Sequence, residues 1–516
     1  MSDRRPILWR LPLAIAYLLL VVAPAQAQPP PPDPRFGAVE AFRDPIAAAE
    51  AGVGWERILF YWSELQPRGP DDWNGYHVPD HWLSLASAQG RQVVGLLKHT
   101  PVWATDGLPG CGVPRGLELP VDDPGNLWAT FVRRVAGMYA GRVDHWIIWN
   151  EPDITPPTYG FEWCGSTEDY YRLLQVAYLA AHQANPNATV HLAGLTFHHD
   201  WTYLRSLLTL ATQDPTAAEH NHYFDVVSLH IYFQIDTVPY IINQTRATLN
   251  AFGLSKPIWV NETNASPDSD PLWPMVRPCF PVTLEEQAGF LLQSFALALA
   301  SGAQRIAVYK WLDNDLPPGG EPFGVIRLDF SRRPAYDAYR LITTHYAGTQ
   351  SARSDRQPLF YQVTLNRGGQ TTRVLWARTA AAVTVTVPAA ATEGLLIAQD
   401  GAAQTVQAVN GSYTVELQGA RCPQEYSNCW TTHPNCMIGG PTVLLVEGAE
   451  GSAGATELIA AEPTATPEAE ATAQGTEQAP LDDEPSPTPT STSTSMPTPS
   501  ATPTARPTHA PTSTPS

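Results

Sequence analysis

His145-Trp146-Ile147-Ile148-Trp149-Asn150-Glu151-Pro152-Asp153 is an apolar run that ends on a carboxylate. An uncharged stretch of this length fits a strand buried on both faces, the environment of a parallel sheet. The construction returns at Ile258-Trp259-Val260-Asn261-Glu262-Thr263. In both places the segment is apolar up to its glutamate, so neither acid belongs to a solvated helix face. Two buried strands that each close on a glutamate set the frame for the rest of the chain.

Outward from these two, short apolar segments alternate with amphipathic ones. The expected strands are Phe36–Phe42, Trp55–Tyr61, Gln92–Lys98, His145–Asn150, Thr189–Leu195, Val226–Tyr232, Pro257–Glu262 and Arg305–Trp311. Helices are expected between them, among them Asp80–Ala88, Leu127–Tyr139, Asp169–Gln183 and Thr283–Ala300, with Ala335–Thr344 after the last strand. Thr283 and Glu286 have capping-box spacing, and Gly302 suits the stop. The order predicts an α/β fold, a (β/α)8 TIM barrel over residues 28–350. An open doubly wound sheet is the alternative, but no glycine-rich phosphate turn follows the first strand.

From 351 to 448 the chain changes to short strands, including Leu359–Leu365, Thr372–Ala377, Ala382–Val387 and Tyr413–Leu417, which predict a small all-β sandwich domain. Residues 449–516 turn to Thr, Pro, Ser and Ala. That composition buries nothing, so a disordered tail is expected, as a spacer or an O-glycosylated stalk. Residues 1–27 read as a signal peptide: Arg4, Arg5 and Arg10, an apolar run from Leu11 to Val22, then Ala25-Gln26-Ala27. The run is shorter than the roughly 20 residues a membrane span needs. A secreted, extracellular protein with no membrane span is expected.

The formal charge of −19 repels phosphate backbones and argues against a nucleic-acid partner. Cysteines 111, 164, 279, 422, 429 and 436 form no CxxC pair, which favours disulfides over a zinc site. Six cysteines can pair in many ways, and only Cys111–Cys164 is favoured, because their loops should lie close together. A monomer is favoured, though nothing in the sequence sets the oligomeric state.

Barrel enzymes carry their chemistry at the C-terminal ends of strands, where Glu151 and Glu262 fall. Glycosidic cleavage needs two carboxyl groups, one protonated to serve the leaving oxygen and one ionised to attack the sugar carbon. The pattern resembles clan A of the glycoside hydrolases, including the bacterial β-xylosidase and cellulase-like families, over residues 36–350. The resemblance implies Glu151, after Asn150, as general acid/base and Glu262 as nucleophile of a retaining enzyme acting on a carbohydrate. Asn261 is not the commonest residue before the nucleophile. It also implies Arg57 beside the nucleophile, Asn150 on a sugar hydroxyl, His230 and Tyr232 as a His-x-Tyr pair, and Trp311 as floor of the sugar site. His99 is a candidate hydroxyl partner. Trp103, Trp163 and Trp273 either line a cleft or anchor their own loops. His198-His199-Asp200 and His220-Asn221-His222 lack metal-ligand spacing, so no metal or other cofactor is expected. A non-catalytic carbohydrate-binding protein on the same barrel is the rival reading. A metal-dependent barrel hydrolase is a third.

Overall fold

The computed structural model describes residues 31–154, 162–273, 280–314, 322–422, 436–448 and 459–460. The expected signal segment, Cys279, Cys429 and all of the expected tail except the pair 459–460 lie outside these residues.

Eight parallel strands close a barrel in chain order: β1 (Phe36–Val39), β2 (Trp55–Tyr61), β3 (Gln92–Lys98), β4 (His145–Asn150), β5 (Thr189–Leu195), β6 (Val226–Tyr232), β7 (Ile258–Asn264) and β8 (Arg305–Val308). Gly37 against Ala307 closes the ring between β1 and β8. Helices follow the strands: α1 (Pro45–Glu50), α2 (Trp62–Leu65) and α3 (Asp80–Ala88), α4 (Leu127–Met138), α5 (Thr167–Ala184), α6 (Tyr203–Gln213), α7 (Thr237–Ala251), α8 (Leu284–Ala300) and α9 (Pro334–His345). Thr283 and Glu286 form both bonds of the capping box at the head of α8. The expected first and last strands were too long. Glu40 takes a left-handed turn (φ 59°) that ends β1 at Val39, and β8 stops at Val308, three residues short of Trp311.

The floor of the barrel is filled by Trp55, Val94, Leu96, Ile147, Trp259 and Ala307. Gly37 makes this packing possible, since a Cβ there would stand 2.3 Å from the Trp55 ring. Two histidines join the plug. His145 Nδ1 lies 3.0 Å from His191 Nε2, and the His191 ring meets Trp259 edge-on at 4.6 Å. Burial, and then the Arg305 charge, pull His145 down to about 4. His191 is lowered by burial and by His145.

These depressed values give a stability expectation. Below pH 6.5 the unfolded chain binds protons at these rings while the folded one resists them, so the contribution is complete above pH 6.5 and, for His145, is lost as pH falls through about 4. For His145 the shift corresponds to about 3 kcal/mol at most. Asp153 and Asp268, raised to about 6 by burial, act oppositely in the same window. The quantity to measure is therefore the difference in unfolding free energy between wild type and His145→Gln, from pH 7 to pH 4. The variant should lose less stability on acidification; parallel curves would remove the histidine pair from the account.

The second half holds β9 (Ser351–Arg356), β10 (Phe360–Asn366), β11 (Thr371–Ala377), β12 (Val383–Pro388), β13 (Glu393–Ala398), β14 (Ala403–Gln407), β15 (Ser412–Leu417), β16 (Val443–Glu447) and β17 (Ile459–Ala460). Six form one antiparallel sheet in the order β14-β13-β16-β11-β10-β9, and three form another, β15-β12-β17. Phe360, Leu375, Val385, Tyr413 and Leu445 fill the space between the sheets. The pair Ile459–Ala460 falls in the stretch expected to be tail throughout, and its backbone instead adds an edge to β12. The other face of the large sheet packs on α8, which is buried without interruption from Gln287 to Ala298. Gln293, at the middle of α8, donates to Gly440 O (3.0 Å) and Thr442 Oγ1 (3.1 Å) and accepts from Gly439 N (3.0 Å). Cys111 and Cys164 form the expected disulfide, with Cα atoms 5.1 Å apart, and Cys422 pairs with Cys436. No helix among the described residues is long and apolar enough to cross a membrane.

Candidate active site

Strand alternation alone would not bring the two glutamates together. On β4, Trp146 packs outward against Phe60 and Ile147 points inward. Trp149 should then point inward too. Instead it takes φ 72° and turns its ring out against Trp128 and Trp163. Glu151 is also left-handed (φ 42°), and its amide donates to Gly194 O of β5 at 3.1 Å. Such backbone is costly for a non-glycine residue and concentrates where a side chain must be aimed. On β7 the pairing slips on both sides, between Leu229 and His230 and between Val260 and Thr263. This irregularity re-aims Glu262 after the inward Trp259.

The result is a compact charged centre at the barrel mouth. Arg57, projecting from β2, pairs with Glu262 Oε1, and the Tyr232 hydroxyl donates to Glu262 Oε2. His230 Nδ1 lies 2.6 Å from Glu151 Oε1 and 3.4 Å from Glu262 Oε2, so this nitrogen stands between the two acids. Glu151, His230 and Glu262 bring ligand atoms within 4.8 Å of one another. Glu262 is 5% exposed, and that burial raises its pKa. The Arg57 charge, His230 and the Tyr232 hydrogen bond outweigh burial and hold the carboxyl below its ordinary value. Burial lowers His230, but the charges of Glu262 and Glu151 prevail and raise it. A cation could find ligands in this trio. However, both Glu262 oxygens already accept from protein donors, one of them a guanidinium that would repel a metal ion. No metal is assigned to it.

The other expected residues are distributed unevenly. Asn150 is half-buried at the end of β4, beside Glu151. His99 takes φ 71° after β3 and stacks on Tyr61 at 4.5 Å, on the same rim. Trp311 does not join the site. It is fully buried, stands 5.6 Å from both Tyr336 and Tyr339 of α9, and donates its indole N–H to Asp44 O at 3.1 Å. No face of it is left for a sugar, which corrects the expected floor. Tyr309, the first residue after β8, is the aromatic that stands beside the charged centre. It is half-buried, its ring lies edge-on to Tyr232 at 6.1 Å, and burial together with the Glu262 charge raises its hydroxyl pKa. Glu40 and Lys310 add a partly buried ion pair on the β1–β8 side, 2.9 Å apart. Trp163 is buried with its N–H on Ser166 O, and Trp103 donates to Gln66 O, so both anchor loops. Trp273 is half-buried.

Comparison with known proteins agrees with this architecture. No protein-family model matches the chain, and a search of curated proteins finds no match. Among solved structures the fold is similar to a family 39 glycoside hydrolase from Bacteroides cellulosilyticus WH2 (TM-score 0.59, 17% identity, 81% of each chain). It is also similar to a monomeric β-xylosidase from Caulobacter crescentus CB15 (TM-score 0.53, 14% identity, 81% of this chain and 96% of that one). A third is a family 30 endoxylanase from Clostridium papyrosolvens C71 (TM-score 0.52, 12% identity, 81% and 97%). At these identities the likeness is one of fold.

Proposed function

We propose that the protein is a retaining glycoside hydrolase of clan A, with Glu262 as nucleophile and Glu151 as general acid/base. The observation that carries this is the pair of facing carboxylates, with oxygens within 4.8 Å and one of them held ionised by Arg57 and Tyr232. Retaining enzymes set their carboxyl groups roughly 5–5.5 Å apart, whereas inverting ones leave about 6.5–9.5 Å for a water.

In the first step Glu262 attacks the anomeric carbon as the bond to the leaving oxygen breaks, and Glu151 gives that oxygen its proton. A glycosyl ester on Glu262 results. In the second step Glu151, now a carboxylate, takes a proton from water, whose oxygen displaces Glu262 and restores the starting configuration. Esterification removes the negative charge of Glu262, which eases ionisation of Glu151. His230 bridges the two acids and Tyr232 steadies the nucleophile. In this reading Asn150, His99 and Tyr309, at the barrel mouth, meet the sugar. The expected signal segment and the two disulfides among the described residues favour export to an oxidising compartment. Turnover on a panel of aryl glycosides, aryl xylosides included, tests the activity, and NMR of the first-formed anomer tests the stereochemistry. Inversion at the anomeric carbon would remove the nucleophile role from Glu262.

Arg57 offers a sharper test. It favours the ionised nucleophile, so Arg57→Met should move the acidic limb of kcat/KM to higher pH. A folded, active variant with an unmoved limb would contradict that role.

A further inference from the structure

A glycosidic oxygen must lie within hydrogen-bond reach of its proton donor, so the leaving half of a sugar chain departs past Glu151. Around Glu151 the barrel is built by β5 and β6, whose Gly194 and His230 touch it. The segments after those strands carry aromatics that are not fully taken up by the core: Phe197 is only partly buried against it. Trp201 is 71% exposed and Tyr240, in the first turn of α7, is 53% exposed. Phe197 lies edge-on to Tyr240 (5.8 Å) and to His198 (5.9 Å). Tyr76 and Phe330 are exposed too, but Trp201 and Tyr240 follow two adjacent strands that both touch Glu151, where exposed rings can form a binding patch.

The loop is also wired to the acid. Asp153, two residues beyond Glu151 and buried, accepts through Oδ2 from Thr196 N (2.8 Å), Thr196 Oγ1 (2.8 Å) and Phe197 N (3.0 Å). Its Oδ1 is buried without a partner. Phe197 is held left-handed (φ 65°), a strained state for an aromatic residue, at the point where the loop leaves this clamp. Flat aromatic faces match the apolar faces of pyranose rings, and His198, His199 and Asp200 beside them supply the polar partners that sugar hydroxyls need.

We infer that Phe197, Tyr240 and Trp201 form leaving-group subsites for a carbohydrate chain, so that the enzyme acts on oligo- or polysaccharides rather than on small glycosides alone. The inference rests on the proposed hydrolase. The clamp at Asp153 keeps this platform in fixed register with Glu151, so a ring seated on it presents its glycosidic oxygen to the acid.

The test compares wild type with Trp201→Ala, Tyr240→Ala and the double variant. kcat/KM is measured on an aryl glycoside, and on a long oligosaccharide of the same sugar. The ratio of oligosaccharide to aryl-glycoside kcat/KM should fall by about 10- to 100-fold in the double variant, mainly through KM. An unchanged ratio, or a parallel fall on both substrates, overturns the subsites while leaving the hydrolase intact. Failure of the wild type on every glycoside instead defeats the proposed function. In that case retardation of the protein in gels of soluble xylan or β-glucan decides the platform: retardation lost in the double variant supports it, and equal migration overturns it.

Discussion

Glu262→Ala is expected to lower turnover of an aryl glycoside by about 10⁴-fold or more, the scale on which loss of a covalent nucleophile is felt. Azide should rescue it partly and give the glycosyl azide of inverted configuration, because the anion enters from the side that Glu262 vacated. Glu151→Ala should behave differently on the same substrate. An activated phenolate leaves with little need for a proton, so the glycosyl-enzyme still forms but water now lacks its base. Azide needs no base, so it should restore turnover and yield the product of retained configuration. NMR of the two azides separates the roles. Identical configurations from both variants would dissolve the assignment, even with both residues essential.

Gly194→Ala is the second large effect expected, from a residue that performs no chemistry. A Cβ at Gly194 would stand 1.9 Å from His230 Nε2, and the His230 ring is fully buried with nowhere to retreat. The displaced ring would lose its 2.6 Å contact with Glu151, while Gly194 O is also the acceptor for the Glu151 amide. A misplacement of about 1 Å in a catalytic group costs on the order of 100-fold. In a His230→Ala background the three nearest obstacles to the new methyl group are gone, so the same substitution should cost little more there. Equal losses in both backgrounds would show that Gly194 acts through the backbone of Glu151 instead.

Sequence legibility tracked how local each signal was. β4 and β7 stood out because an apolar run that stops on a glutamate needs no knowledge of neighbours. β8 was misjudged at Tyr309-Lys310-Trp311: Trp311 is as apolar as a strand residue, and its burial against α9 is a tertiary fact. That error shifted attention from Tyr309, which a shorter strand would have put at the rim. β9 and β14 are mostly exposed and polar, so alternation is weak in them. β16 is an apolar run, Val443-Leu444-Leu445-Val446, that periodicity alone should have marked. The slip in β7 and the room beside Gly194 involve residues that meet only across strands, and no window along the chain contains both partners.

The continuous burial of α8 bears on how such a protein can change over time. A helix that is buried on every side has no solvent face to fall back on. The barrel and the sheet that covers it therefore share one wall, with Gln293 bonded into the covering strands. Recombination that exchanged the second half for an unrelated module would strand that wall in water. The two halves are bound to be inherited together, and variation in specificity is left to the loops at the barrel mouth.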